Sequence, residues 1–102
     1  MNAPTEFVRV VDRTRYDVSK SQLIASDCYW DGSNFERHGR NTFLYRTPGG
    51  RYFTVSLTQW QGERDTLTPV DLEEAIRLYE QDLPEHEEDY AKAFPGVEVE
   101  EA

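Results

Sequence analysis

NTFLYRTPGGRYFTVSLTQW, residues 41 to 60, decides the fold. Two runs rich in aromatic and β-branched residues flank Pro48-Gly49-Gly50. Proline presets φ for a turn, and the glycines supply the positive φ that a bulged hairpin needs. If Thr47 pairs with Arg51, Tyr45 faces Phe53 and Phe43 faces Val55. Together with Leu57 these residues line one face at a period of two. The other face carries Leu44, Arg46, Tyr52, Thr54 and Ser56, a mixed set that predicts a partly wet surface.

On the amino-terminal side, "FVRVV" (Phe7 to Val11) has the β-branched content of a short strand. "RTRYDVSKSQ" is polar and reads as turns. "LIASDCYW" reads as a further strand, although Leu23-Ile24-Ala25 equally suits the start of a helix. "DGSN" (Asp31 to Asn34) is a turn signal, because Asp, Gly and Asn tolerate left-handed backbone.

On the carboxy-terminal side, "QGERD" reads as a polar loop. A helix is predicted from Thr68, with Thr68 as N-cap, Pro69 in the first turn and Asp71 as the capping-box acid. Leu72, Ala75, Ile76, Tyr79 and Leu83 would form its apolar stripe, with Glu73, Glu74, Arg77 and Glu80 outward. Pro84 ends it. A second helix is expected over "PEHEEDYAKAF", its acidic first turn matched to the positive end of the helix dipole. Pro95-Gly96 stops that helix, and residues 97–102 trail as an acidic tail. Strands first and helices after predict an α+β class. The expected architecture is a small antiparallel meander of three to four strands, packed on one face against one or two acidic carboxy-terminal helices. The 102 residues suit a single domain, 1–102, ordered over about 7–94.

The net charge of -9 is unevenly placed. Residues 1–70 hold nine Arg/Lys against eight Asp/Glu, whereas residues 71–102 hold two, Arg77 and Lys92, against twelve. Such a region is repelled by DNA phosphates and by anionic membranes, and it is attracted to a basic protein surface. The plainer alternative is a solvated acidic surface that only aids solubility. One cysteine, Cys28, permits no intramolecular disulfide and points to a reducing compartment. No apolar run of membrane-spanning length and no signal-like start appear, so a cytoplasmic location and no membrane contact are expected.

One catalytic-looking string stands out. Arg37-His38-Gly39, within "FERHGRN", matches the Arg-His-Gly of histidine phosphatases and phosphoglycerate mutases. A phosphohistidine site needs a second histidine, converging arginines and a strand-to-helix turn. The other histidine, His86, lies among acids that would repel a phosphate, so the string reads as a polar lead-in to a strand, with Gly39 at a bulge or bend. Cys28, His38, Asp27, Asp31 and Glu36 lack metal-ligand spacing, as does His86 with Glu85, Glu87 and Glu88. No serine lies in Gly-x-Ser-x-Gly and no phosphate-cradling loop exists. No catalytic residue, cofactor or metal is expected, and the protein reads as a non-enzyme.

Two binding surfaces remain. Arg46, Tyr52 and Trp60 could form a small basic aromatic sheet face of the kind that stacks bases. The neighbouring acids and the total charge disfavour direct nucleic-acid binding. Glu73, Glu74, Glu80, Asp82, Glu85, Glu87, Glu88 and Asp89 would place carboxylates about 5–6 Å apart along helical faces, close to a nucleic-acid phosphate spacing. That face could mimic a nucleic-acid backbone toward an arginine-rich groove.

Tyr16-Asp17, Leu23-Ile24-Ala25, Leu44-Tyr45-Arg46-Thr47-x-x-Gly50-x-Tyr52-Phe53, Leu67-Thr68 and Glu74-Ala75 carry a resemblance spanning Tyr16 to about Tyr79. In this layout the chain resembles a group of short bacterial proteins, mostly uncharacterised, carried on phages and mobile elements. Small acidic proteins of such elements include anti-CRISPR proteins, several of which look like nucleic-acid mimics. The resemblance implies that class and supplies no catalytic residue. The leading expectation is an acidic protein that inhibits or regulates a nucleic-acid-handling partner through the carboxy-terminal acids. A dimeric regulatory or antitoxin-like module, pairing through the hairpin edge or its Tyr/Trp face, is the second, and a small nucleic-acid-binding sheet protein the third.

Overall fold

The computed structural model describes residues 3–27 and 39–102. Cys28, the turn predicted at residues 31–34 and Arg37-His38 lie outside the described residues. In chain order the strands are β1 (Val8–Val11), β2 (Thr14–Asp17), β3 (Gln22–Ser26), β4 (Arg40–Arg46), β5 (Tyr52–Thr58), β6 (Thr66–Val70) and the two-residue β7 (Glu85–His86). Helices α1 (Leu72–Arg77) and α2 (Tyr90–Ala93) are both short. β1 and β2 form a separate hairpin, and the other five strands form an antiparallel sheet in the order β6-β5-β4-β3-β7. The class is α+β, with a wider sheet and less helix than expected.

The central hairpin has the expected register. Tyr45 pairs with Phe53, Phe43 with Val55 and Arg46 with Tyr52. Thr47 and Arg51 close it by a 2.8 Å backbone hydrogen bond, and Gly50, at φ +85°, makes the left-handed turn. Its first face buries Phe43, Tyr45, Phe53 and Val55 with Leu67 of β6. Tyr45 stacks on Phe53 at 5.2 Å, and Tyr16 meets Phe53 edge-on at 5.6 Å. Tyr16 comes from β2, inside the stretch expected to be only turns. Val11↔Thr14 pairing leaves a two-residue connection, Asp12-Arg13, with both residues at positive φ, and the β1–β2 hairpin folds over the aromatic face.

The opposite face is partly wet, as its mixed composition predicts: Thr42, Arg46, Thr54 and Ser56 are half-buried. Leu44 and Tyr52 are buried there with Ile24, Ala25, Ala75, Tyr79, Leu83, Ala93 and Phe94. A register shift in β3 adds one residue between Leu23 and Ala25, so Ile24 and Ala25 both join this cluster while Leu23 packs on the first face. The sheet is therefore a middle layer, with a hairpin on one side and the carboxy-terminal segments on the other. The thinnest dimension, 18 Å, matches two interlayer spacings of about 10 Å.

Both predicted helices are corrected. Thr68 and Pro69 belong to β6, paired with Thr54 and Phe53, and Leu67 is buried. β6 is an edge strand, where a missing proline N–H is tolerated. α1 begins after Asp71, whose carboxylate accepts from the Glu74 N–H at 2.8 Å. Ala75, Tyr79 and Leu83 bury as the stripe predicts, but Leu72 stays 41% exposed in the first turn. The chain then widens into a π-helical turn, Leu78–Asp82, closed by the Leu83 N–H on the Leu78 carbonyl. The second predicted helix is mostly absent: Glu85 and His86 pair with Ser26 and Ala25 instead. The Glu87 and Glu88 N–H groups donate to the Ile24 carbonyl, at 2.7 and 3.3 Å. Only one turn, α2, remains, capped by Asp89 on the Lys92 N–H. An edge of β3 needing partners outweighs the helix propensity of a short acidic run.

Candidate functional site

The eight predicted acids do not share helical faces. Glu73 and Glu74 lie in α1, Glu80 and Asp82 in the π-helical turn, Glu85 on β7, Glu87 and Glu88 in the following bend, and Asp89 at the cap of α2. A ladder of carboxylates at helical spacing, the geometry expected of a phosphate mimic, is therefore not formed. These acids instead fringe a continuous layer over one face of the sheet.

Several of them have internal duties. Arg77 bridges Glu74 and Asp82, the latter at 2.9 Å, and those two hydrogen-bonded carboxylates hold its guanidinium above its ordinary pKa. Glu80 accepts from the Tyr90 hydroxyl at 2.8 Å. Glu88 pairs with Arg46 at 2.6 Å, at side-chain exposures of 14% and 21%. Glu73, Glu85 and Glu87 are exposed and make no salt bridge among the described residues. The negative field reaches the neighbouring phenols. Burial first, then the Glu80 hydrogen bond and the charges of Glu80 and Glu73, raise the Tyr90 pKa. Burial, Asp89 and Glu88 raise that of Tyr79.

Beneath the acids lies an aromatic floor. Tyr79 meets Tyr90 and Phe94 edge-on at 5.6 and 5.3 Å, and the His86 ring stacks on it at 3.7 Å. The His86 Nε2 lies 2.8 Å from the Tyr79 carbonyl, which fastens β7 to the π-helical turn. His86 thus sits on a strand and not inside a helix. Among the described residues no group of three or more His, Cys, Asp or Glu side chains is placed to hold a metal ion.

The predicted sheet-face patch is divided. Arg46 and Tyr52 are cross-strand neighbours as expected, but the carboxy-terminal segment covers them. The Tyr52 hydroxyl donates to the Ala93 carbonyl at 2.7 Å, and its ring packs 5.4 Å from Phe94. The Arg46 guanidinium, besides Glu88, donates to the Lys92 carbonyl at 2.7 Å. Neither is a surface platform for bases. Trp60 is far from both, on the β5–β6 loop, and is 53% exposed. The hairpin edge suggested for dimerisation is also closed, since β4 pairs with β3 and β5 with β6. At the sheet's own edge, Pro69 and the Arg9 guanidinium, 2.6 Å from the Leu67 carbonyl, obstruct further pairing.

Sequence reasoning missed the tie of Arg46 to Glu88, 42 residues apart, and the clamp of Arg40 by Glu63, 23 apart. No local spacing signals either. Asp71, read as the capping-box acid of a helix capped by Thr68, is itself the N-cap of α1. Among known proteins, no family model, curated protein or solved structure matches this chain. Among the described residues, no helix is long and apolar enough to cross a membrane.

Proposed function

We propose that this chain is a non-enzymatic binding protein whose acidic carboxy-terminal layer engages a partner with a basic surface. One observation carries this reading. In a region with twelve acids and two bases, Glu73, Glu85 and Glu87 stay exposed and outside every described salt bridge, while the internal ties use Glu74, Asp82 and Glu88. Charges held outward steer an oppositely charged partner and give a binding rate that falls with salt. The resemblance of residues 16–79 to mobile-element proteins is the ground for taking the partner as a nucleic-acid-handling protein and the effect as inhibition, of the anti-CRISPR kind. Competition for a nucleic-acid groove then rests on net charge, without a phosphate-like ladder.

The test separates functional acids from structural ones. The triple variant Glu73→Lys, Glu85→Lys, Glu87→Lys leaves the Arg77 and Arg46 pairs and both helix caps in place. It should retain the wild-type thermal midpoint within a few degrees and bind an oligoarginine peptide at least about tenfold more weakly at low salt. Unchanged affinity in the folded triple variant would end this reading.

A further inference from the structure

Trp60 is the one exposed large aromatic side chain among the described residues, and it is held in place from several sides. Its backbone N–H donates to the Thr58 hydroxyl oxygen at 3.1 Å, and that hydroxyl donates to Glu63 at 2.5 Å. Glu63 clamps the Arg40 guanidinium through two hydrogen bonds, 3.2 Å at Nε and 2.6 Å at Nη2. The guanidinium in turn lies 5.9 Å from the indole centroid. Gly39, at φ +76°, lets the backbone approach so closely that a Cβ there would stand 2.9 Å from the indole Nε1. An exposed indole fixed this way has little ordering entropy left to lose on binding, and Trp beside Arg is the composition of interface hot spots.

Arg40, 5.9 Å from the Trp60 ring, links it to the sheet face that carries the acidic layer. Arg40, Thr42, Leu44 and Arg46 alternate onto the helix-side face, because Leu44 is buried in that cluster and Arg46 pairs with Glu88. Two shallow depressions share Thr42. One, of about 390 Å³, is lined by Arg40, Ser56, Thr58, Glu63 and Arg64, and the other, of about 430 Å³, by Asp27, Gln81 and Asp82. Arg46 lies six positions along the strand from Arg40, roughly 20 Å at about 3.4 Å per residue. That span fits within one protein interface of about 800 Å² per partner, roughly 30 Å across.

We infer that Trp60 is the apolar anchor of the interface whose charged part is the acidic layer, so that the partner is a protein presenting an apolar pocket beside its basic surface. This rests on the reading under Proposed function. Charge complementarity favours such a partner over a second copy of this chain, whose net charge of -9 repels it.

Two synthetic peptides of equal positive charge test it, an oligoarginine and an arginine-rich peptide with interspersed leucines, titrated calorimetrically into the full chain. The wild type should prefer the leucine-containing peptide by about tenfold or more. Trp60→Ala should reduce that preference below about twofold, with oligoarginine affinity nearly unchanged, and Trp60→Phe should keep part of it. Far-UV circular dichroism and the oligoarginine titration certify that each variant is folded. A wild type without preference, or a preference that survives Trp60→Ala, overturns the anchor and leaves the acidic reading standing. Absence of salt-sensitive binding to both peptides overturns the acidic reading and the anchor with it.

Discussion

The two faces of the β4–β5 hairpin are closed by different physics. The face toward β1–β2 is sealed mainly by apolar packing: Phe43, Tyr45, Phe53 and Val55 alternate inward and meet Tyr16, Val18 and Leu67, with the Tyr45 hydroxyl tied to the Pro4 carbonyl. The face toward the carboxy-terminal segments takes only Leu44 and Tyr52 from the hairpin. Its other apolar members, Ile24, Ala25, Ala75, Tyr79, Leu83, Ala93 and Phe94, come from distant segments, which polar ties hold to the hairpin, from Tyr52 to Ala93 and from Arg46 to Lys92 and Glu88. Apolar burial is non-directional and tolerates small shifts, whereas hydrogen bonds at a half-buried position depend on both partners being present. One face should therefore set the stability of the domain, and the other should set where its acidic layer is held.

The comparison is most severely tested at Phe53. It is fully buried between Tyr45 and Tyr16, so Phe53→Ala should cost about 3–5 kcal/mol. That is much of the stability of a domain this size, and denaturant titration would measure it. A loss below about 1 kcal/mol would mean that the aromatic face is not the main support.

A smaller effect sharpens the same face through pH. Burial pushes the Tyr45 phenol up to about 12 from an ordinary 10.0, and its hydroxyl donates to the Pro4 carbonyl. Between those values the unfolded chain releases the proton that the folded chain keeps. The stabilisation is whole below pH 10 and is lost as pH rises toward 12, on the order of 2 kcal/mol. Thermal midpoints measured from pH 8 to 12 should fall less steeply for Tyr45→Phe than for the wild type. Equal slopes would place the phenol in water.

The smallest effect belongs to the other face. Glu88→Ala leaves Arg46 half-buried with its carbonyl partners and should cost about 1–2 kcal/mol. Hydrogen exchange should then rise in residues 85–97 before it rises in β4 and β5. If the added exchange spread evenly over the sheet, the two faces would be one cooperative unit and the contrast drawn between them would be lost.

How much of this was legible depends on the range of the interactions. Pro48-Gly49-Gly50 and the alternation around it specify the central hairpin from local rules, and the observed register follows them residue for residue. Phe7 to Val11 was legible as a strand, yet its partner Thr14–Asp17 was not, because Asp12 and Arg13 make a left-handed turn without the usual glycine or asparagine. At the start of α1 the cap lies three residues after the predicted Thr68. Pairing with β5 and burial of Leu67 drew Thr68-Pro69 into the sheet and left the role to Asp71. For the candidate site the sequence showed which residues are acidic and roughly where. It did not show which of them are already committed to Arg77, Arg46 and Tyr90.

By itself, then, the sequence determined the central hairpin, the α+β class and the charge imbalance, since each depends on neighbours within a few positions or on composition alone. Tertiary structure decided that residues 85 and 86 pair as a strand, that both sheet faces are covered and that the acids form a fringe without a ladder. The physical reason is the same in each case. The open edge of β3 and the half-apolar outer face of the hairpin had to be satisfied by distant segments. That requirement outweighs the weak intrinsic preference of a short acidic stretch for helix.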